Sequence, residues 1–184
     1  MGVYDAFING KEVKEILSDG TEMDDVFSPG WTNYNDYLYY RAYDVTSYID
    51  NKDLAIGVRL GTGWYAGIIG RAYYGGIGEK GINELSLLAE LAIEYVDGST
   101  EIITSNTTDW VASENGPILS NDFFAGEVYD SRLEANIKGW DNSGFNAQRW
   151  SQVKRLDYKP KLVGGNENTA YMLEEYRIDP KESD

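Results

Sequence analysis

Short apolar runs broken by turn dipeptides constrain this chain more than any other feature. "VYDAFINGKEV", residues 3–13, alternates and then reverses at Asn9-Gly10. Asn-Gly between apolar runs selects a two-residue hairpin, because both positions tolerate the positive φ of a type I′ turn. Pro29-Gly30 in "DVFSPGW" and Asp97-Gly98 in "EYVDGSTEI" repeat the signal. "DYLYYRAYDVTSYI" (36–49) reads as a long strand with both faces covered. "LAIGVRLG" (54–61) reads as a strand with Leu54, Ile56, Val58 and Leu60 on one face. "DWVAS", "GPILS" and "GEVYDSRLE" are shorter candidates, and "TAYMLEEYRI" is the last. Many short strands at such spacing predict an all-β fold, an antiparallel sandwich.

One segment resists the pattern. "ELSLLAELAIEY" (84–95) is rich in helix formers, but Asp97-Gly98 follows at once and "TEIITS" comes next. A strand, a tight turn and a second strand fit better, with Leu87, Ala89, Leu91, Ile93 and Tyr95 on one face. Composition agrees: 15 tyrosines and 20 glycines against 4 prolines suit pleated, turn-rich structure. The 184 residues, 42% of them hydrophobic, suffice for one domain with a core and leave room for a tail.

The formal net charge is −15. Such a field repels phosphate backbones and anionic lipid, so neither nucleic acid nor membrane is an expected partner; neutral sugars and calcium remain compatible. The chain has no cysteine and no histidine. Disulfides, thiolate chemistry, the usual triads and the usual zinc ligands are therefore excluded. No apolar run reaches the roughly twenty residues of a membrane span, and the N-terminus lacks the pattern of a signal peptide, which favours a cytoplasmic protein.

Two constellations are candidate sites. In "GTGWYAGIIG" (61–70), Trp64 and Tyr65 sit among four glycines. They form either a platform for stacking on a sugar ring or core rings beside a close backbone crossing. Residues 114–134, "ENGPILSNDFFAGEVYDSRLE", gather Asn115, Asn121 and Asp122, whose oxygens suit sugar hydroxyls or calcium and equally suit turns. Asp130 and Arg132, two apart, would share a strand face and pair elsewhere. With 31 acidic residues, a carboxylate pair suited to glycoside hydrolysis is too easily found to carry specificity. Asn106-Thr107-Thr108 is a glycosylation sequon whose use depends on secretion.

Taken in order, "YDAFINGKEV", "FSPGWTNYNDYLYYRAYDVT", "LAIGVRLGTGWYAG", "LLAELAIEYVDGSTEIITSNTTDWVAS", "GPILSNDFFAGEVYDSRLE" and "GWDNSGF" resemble the N-terminal β-sandwich module of bacterial α-L-rhamnosidases. The resemblance spans roughly residues 2 to 155. It implies a jelly-roll-like antiparallel sandwich and strand at residues 84 to 95. It also implies a larger enzyme in which a later (α/α)6 barrel, absent here, carries paired glutamates that hydrolyse terminal α-L-rhamnosyl bonds with inversion. No catalytic residue is expected in this chain. Relatives usually begin with one more strand, and "LVGGNENTAYMLEEYRIDP" resembles a lead-in to a following domain. The expected division is a module at 1–156 and a linker at 157–184, with both ends cut from a longer protein. Some sandwich modules of this family bind rhamnose with the aid of calcium. On that implication Trp64, Tyr65, Asn115, Asn121 and Asp122 are the expected contacts to a rhamnose-containing glycan, and Asn121 and Asp122 the expected calcium ligands. Thr62, where relatives often carry Asp or Asn, weakens the metal expectation. The alternative is a structural module that packs on the remaining domains of the parent enzyme, with Tyr129 or Arg132 on the contact face.

Overall fold

In the computed structural model, which describes residues 1–17, 19–49, 53–67, 84–165 and 170, the Asn9-Gly10 reversal folds as its dipeptide demands. Ile8 of β1 (Val3–Ile8) lies opposite Lys11 of β2 (Lys11–Glu12). The intervening φ values are +50° at Asn9 and +79° at Gly10, the signs of a type I′ turn. Then come β3 (Glu15–Ile16), β4 (Glu22–Met23), β5 (Tyr37–Tyr40), β6 (Ile56–Gly61) and the one-turn helix α1 (Gly63–Ala66). β7 (Glu90–Glu94), β8 (Thr100–Thr104), β9 (Val111–Ala112), β10 (Ile118–Asp122) and β11 (Gly126–Tyr129) follow. The turn α2 (Glu134–Ile137), β12 (Ser151–Gln152) and β13 (Lys161–Gly164) complete the described elements.

The described strands make one three-stranded sheet, β2-β1-β6, and five two-stranded pairings. β1 and β6 are antiparallel over six residues, from Val3 opposite Gly61 to Ile8 opposite Ile56. The fold is all-β. One pairing departs from the antiparallel expectation: β13 runs parallel to β5, Leu162 opposite Leu38. The Arg41 guanidinium fastens that pairing by donating to the Gly165 carbonyl at 2.6 Å and to Asp25 Oδ2 at 3.0 Å, with Glu15 as a third partner. Ser28 Oγ donates to the same Asp25 oxygen at 2.8 Å. The Arg41 and Asp25 side chains are 5% and 4% exposed, so each charge is tolerated only because the other is there. Residues 161–165, placed by the sequence in the linker, are thus tied to β5.

The first aromatic core explains why motifs far apart in sequence belong together. Phe7 on β1 meets the Trp140 ring edge-on at 5.3 Å, and Trp140 stacks on Trp150 at 6.4 Å. Gly57 leaves room for that indole: a Cβ there would lie 2.7 Å from Trp140 Cζ3. Gly10 likewise faces Asn142, and its N–H donates to the Asp141 carbonyl at 2.9 Å.

One segment departs from expectation and another bears it out. Residues 36–49 form a strand only over Tyr37–Tyr40 and end in a 3₁₀ turn at Thr46–Tyr48. Asp44 accounts for the change, since its Oδ1 accepts from the Thr46 N–H at 3.0 Å and from Thr46 Oγ1 at 2.6 Å, turning the backbone out of a ladder. Residues 84–95 are not helical; Glu90–Glu94 pairs with β8, and Gly98, at φ +83°, closes the hairpin. Leu91 is buried, whereas Tyr95 at the strand end is exposed. The candidate strand "TAYMLEEYRI" lies almost wholly outside the described residues. Among the described residues no helix is long and apolar enough to cross a membrane.

Candidate functional site

The glycines around Trp64 and Tyr65 are explained by what lies against them. A Cβ on Gly61 would sit 2.8 Å from Asn121 Nδ2, and one on Gly63 would sit 2.8 Å from Val3 Cγ1. At Gly67 it would fall 2.3 Å from the Gly63 carbonyl oxygen and 2.8 Å from Asp122 Oδ2. Gly63 also holds φ at +51°, a value that disfavours side chains. Thus β6 ends, turns once through α1, and docks against the end of β10 at contact distance.

Polar groups lock this junction. The Thr62 N–H donates to Asn121 Oδ1 at 3.0 Å, and Thr62 Oγ1 donates to the Asn121 backbone oxygen at 2.6 Å. Asp122 Oδ1 accepts from the N–H groups of Phe124 and Ala125, both at 2.8 Å, and so shapes the β10–β11 turn. Thr62 thus acts as a donor to Asn121 through both its N–H and its hydroxyl.

Trp64 is half-buried and packs against Phe27 at 5.5 Å and Phe123 at 4.6 Å. Tyr65 is 2% exposed and meets Tyr34 edge-on at 5.2 Å. Burial first, and the neighbouring Tyr65 second, push the Tyr34 hydroxyl above the ordinary tyrosine range. The two rings of the Trp-Tyr pair therefore point into different aromatic clusters. Asn115 lies elsewhere, on an exposed turn where its N–H donates to Ser113 Oγ at 3.1 Å. It precedes β10, whereas Asn121 and Asp122 end it, and a strand of this length separates its ends by roughly 13 Å. The structure gathers Trp64, Tyr65, Asn121 and Asp122 at one junction and leaves Asn115 outside it.

Calcium needs six to eight oxygens. Asn121 Oδ1 and Asp122 Oδ1 already accept from protein N–H groups, and among the described residues no group of three or more acidic side chains could hold a metal ion. As placed, Asn121 and Asp122 each spend Oδ1 on protein N–H groups.

Asp130 and Arg132 do not share a strand face, because β11 ends at Tyr129 and Asp130 caps a 3₁₀ turn over Ser131–Leu133. They pair with each other: Arg132 Nε and Nη2 donate to the two Asp130 oxygens at 2.8 and 2.6 Å. The bonded Arg132 side chain holds the Asp130 carboxyl below the usual range. A small polar cavity of about 20 Å³ opens between Tyr4, Glu12, Asp24, Asp25, Ser28 and Tyr43; it has room for a water, not for a sugar ring. Sequence reasoning missed Phe27 and Phe123, the rings that hold Trp64. The only signal was an aromatic beside each turn, in "VFSPG" and "NDFFAG".

These residues define a strand-built domain in which glycines, turn amides and aromatic edges join distant motifs. The chain belongs to the α-L-rhamnosidase N-terminal domain family, whose model matches residues 1–174. It is 38% identical over 157 residues to an α-L-rhamnosidase of Streptomyces avermitilis, a match covering 85% of this chain and 14% of that protein. It is 33% identical over 155 residues to one of Formosa agariphila, covering 83% and 15%. An α-L-rhamnosidase of Alteromonas sp. (strain LOR) is 31% identical over 153 residues, again covering 83% and 15%. The chain thus spans about a seventh of the length of these relatives. No solved structure matches it significantly.

Proposed function

We propose that this chain is a non-catalytic accessory domain of an α-L-rhamnosidase, and that its task is to pack against the other domains of that enzyme. The parent would act on terminal α-L-rhamnosyl bonds through residues outside this chain. One observation carries the docking role. Tyr65 is 2% exposed and Trp64 half-buried against Phe27 and Phe123, while large apolar side chains stand in solvent on two hairpins. On β7–β8 these are Tyr95, Val96 and Ile102; on β10–β11 they are Leu119, Phe123, Phe124, Val128 and Tyr129. Exposed apolar surface of this kind marks an interface.

A carbohydrate-binding role is the second reading, supported by the half-buried Trp64 beside the 40% exposed Phe123. Calorimetric titration with L-rhamnose, with calcium and again with EDTA, separates the two. The docking reading expects no heat at millimolar sugar in either condition. Saturable heat would transfer the function to carbohydrate, and dependence on calcium would restore a metal to the account.

A further inference from the structure

We infer that the exposed face of the β10–β11 hairpin is the surface this domain lays against the rest of its parent enzyme, at a site with an apolar floor and a basic rim. The inference rests on the docking reading and names its contact. Among the described residues, β10 and β11 pair only with each other. A lone two-stranded hairpin is marginal in water and needs a surface to lie on. All four residues of β11 are exposed. Leu119, Phe124 and Val128 are 55%, 64% and 55% exposed, so the apolar side chains that should cover something cover nothing within the described chain.

Both ends of this hairpin are fixed. At its turn Thr62 holds Asn121 and Trp64 packs on Phe123, and at its open end Asp130 caps the turn that follows β11. The β7–β8 hairpin exposes fewer large apolar side chains, Tyr95, Val96 and Ile102 against the five of β10–β11. An apolar face held at both ends loses less freedom on docking.

Charge selects the occupant. Glu127, Asp130 and Glu134 lie along the hairpin and the turn after it; of the nearby cations, Arg132 is bidentate on Asp130, and Arg59, whose charge reaches Tyr129, pairs with Asp5 at 3.4 Å. A second copy of this chain would bring the same acidic rim and a net charge of −15, which opposes self-association. The remaining chain of the parent is the available partner, since the relatives devote only 14–15% of their length to the matched segment. Its docking surface should present Lys or Arg around an apolar centre.

Zero-length carbodiimide coupling in the full-length enzyme tests this, because it joins a carboxylate only to an amine in contact. Glu127 or Glu134 should link to lysines of the parent outside residues 1–184 when peptides are mapped by mass spectrometry. Val128→Glu should cut that yield about tenfold or more, by placing a charge in the apolar floor. Val96→Glu, at the β7–β8 turn, should leave it unchanged. Wild-type links confined to Glu94 or Glu101 would overturn the choice of hairpin and leave the docking reading standing. An absence of links from either hairpin would overturn both, and links that persist in Val128→Glu would overturn the apolar floor.

Discussion

Replacing Trp64 with Ala separates a packing ring from a binding ring. Truncating a fully buried Trp costs about 3–5 kcal/mol. Trp64 is half-buried, which brings the expected loss to about 2–3 kcal/mol. Its edge contact with Phe27 and tilted contact with Phe123 contribute about 0.5–1.5 kcal/mol each. In urea, the unfolding midpoint should fall by about 1 M, and Tm should drop by roughly 5–10 °C. The contact itself is isolated by a double-mutant cycle with Phe123→Ala, in which the coupling should be about 0.5–1.5 kcal/mol. The variant should behave like the parent towards L-rhamnose, with no heat before or after. An unchanged midpoint, a coupling near zero and a rhamnose signal lost on substitution would together refute the packing assignment.

Three further outcomes follow from the same contacts. Gly57→Ala pushes a Cβ to 2.7 Å from the Trp140 indole and should destabilise by about 1–3 kcal/mol, measured by chemical unfolding. Arg41→Met leaves the Asp25 carboxylate, 4% exposed, without its charge partner; the expected loss is about 3–5 kcal/mol, and hydrogen exchange should show β13 loosening first. Burial raises the Asp5 carboxyl above its ordinary value, against the opposing pull of Arg59. Its contribution is fully present below the unfolded-state value and is lost as pH rises through the folded-state value. Asp5→Asn should therefore favour stability more at pH 7 than at pH 4, and the reverse order in paired unfolding curves would contradict the assignment.

Local chemistry made part of this fold legible. Asn9-Gly10 and Asp97-Gly98 announced their hairpins because positive φ is a property of the residue itself. The alternation in residues 54–61 gave β6, although its other face proved to be covered too, by Trp140 over Gly57. What stayed hidden depended on distance in sequence. Nothing near Arg41 indicates that it reaches Asp25 and the Gly165 carbonyl, and the parallel pairing of β13 with β5 follows from that reach. The site was half legible for the same reason. The glycines around Trp64 signalled close approach, but what approaches, Val3, Asn121 and Asp122, lies on two other strands. Asp and Asn look alike as ligands and as turn residues; Asp122 proved to hold a turn.

The most direct test of the docking account is hydrogen exchange at the β7–β8 and β10–β11 amides, compared between this chain alone and the full-length enzyme. The account predicts slower exchange in the full-length protein, concentrated at residues 118–129, while β1 and β6 exchange alike in both. Equal exchange at both hairpins in the two proteins would contradict it.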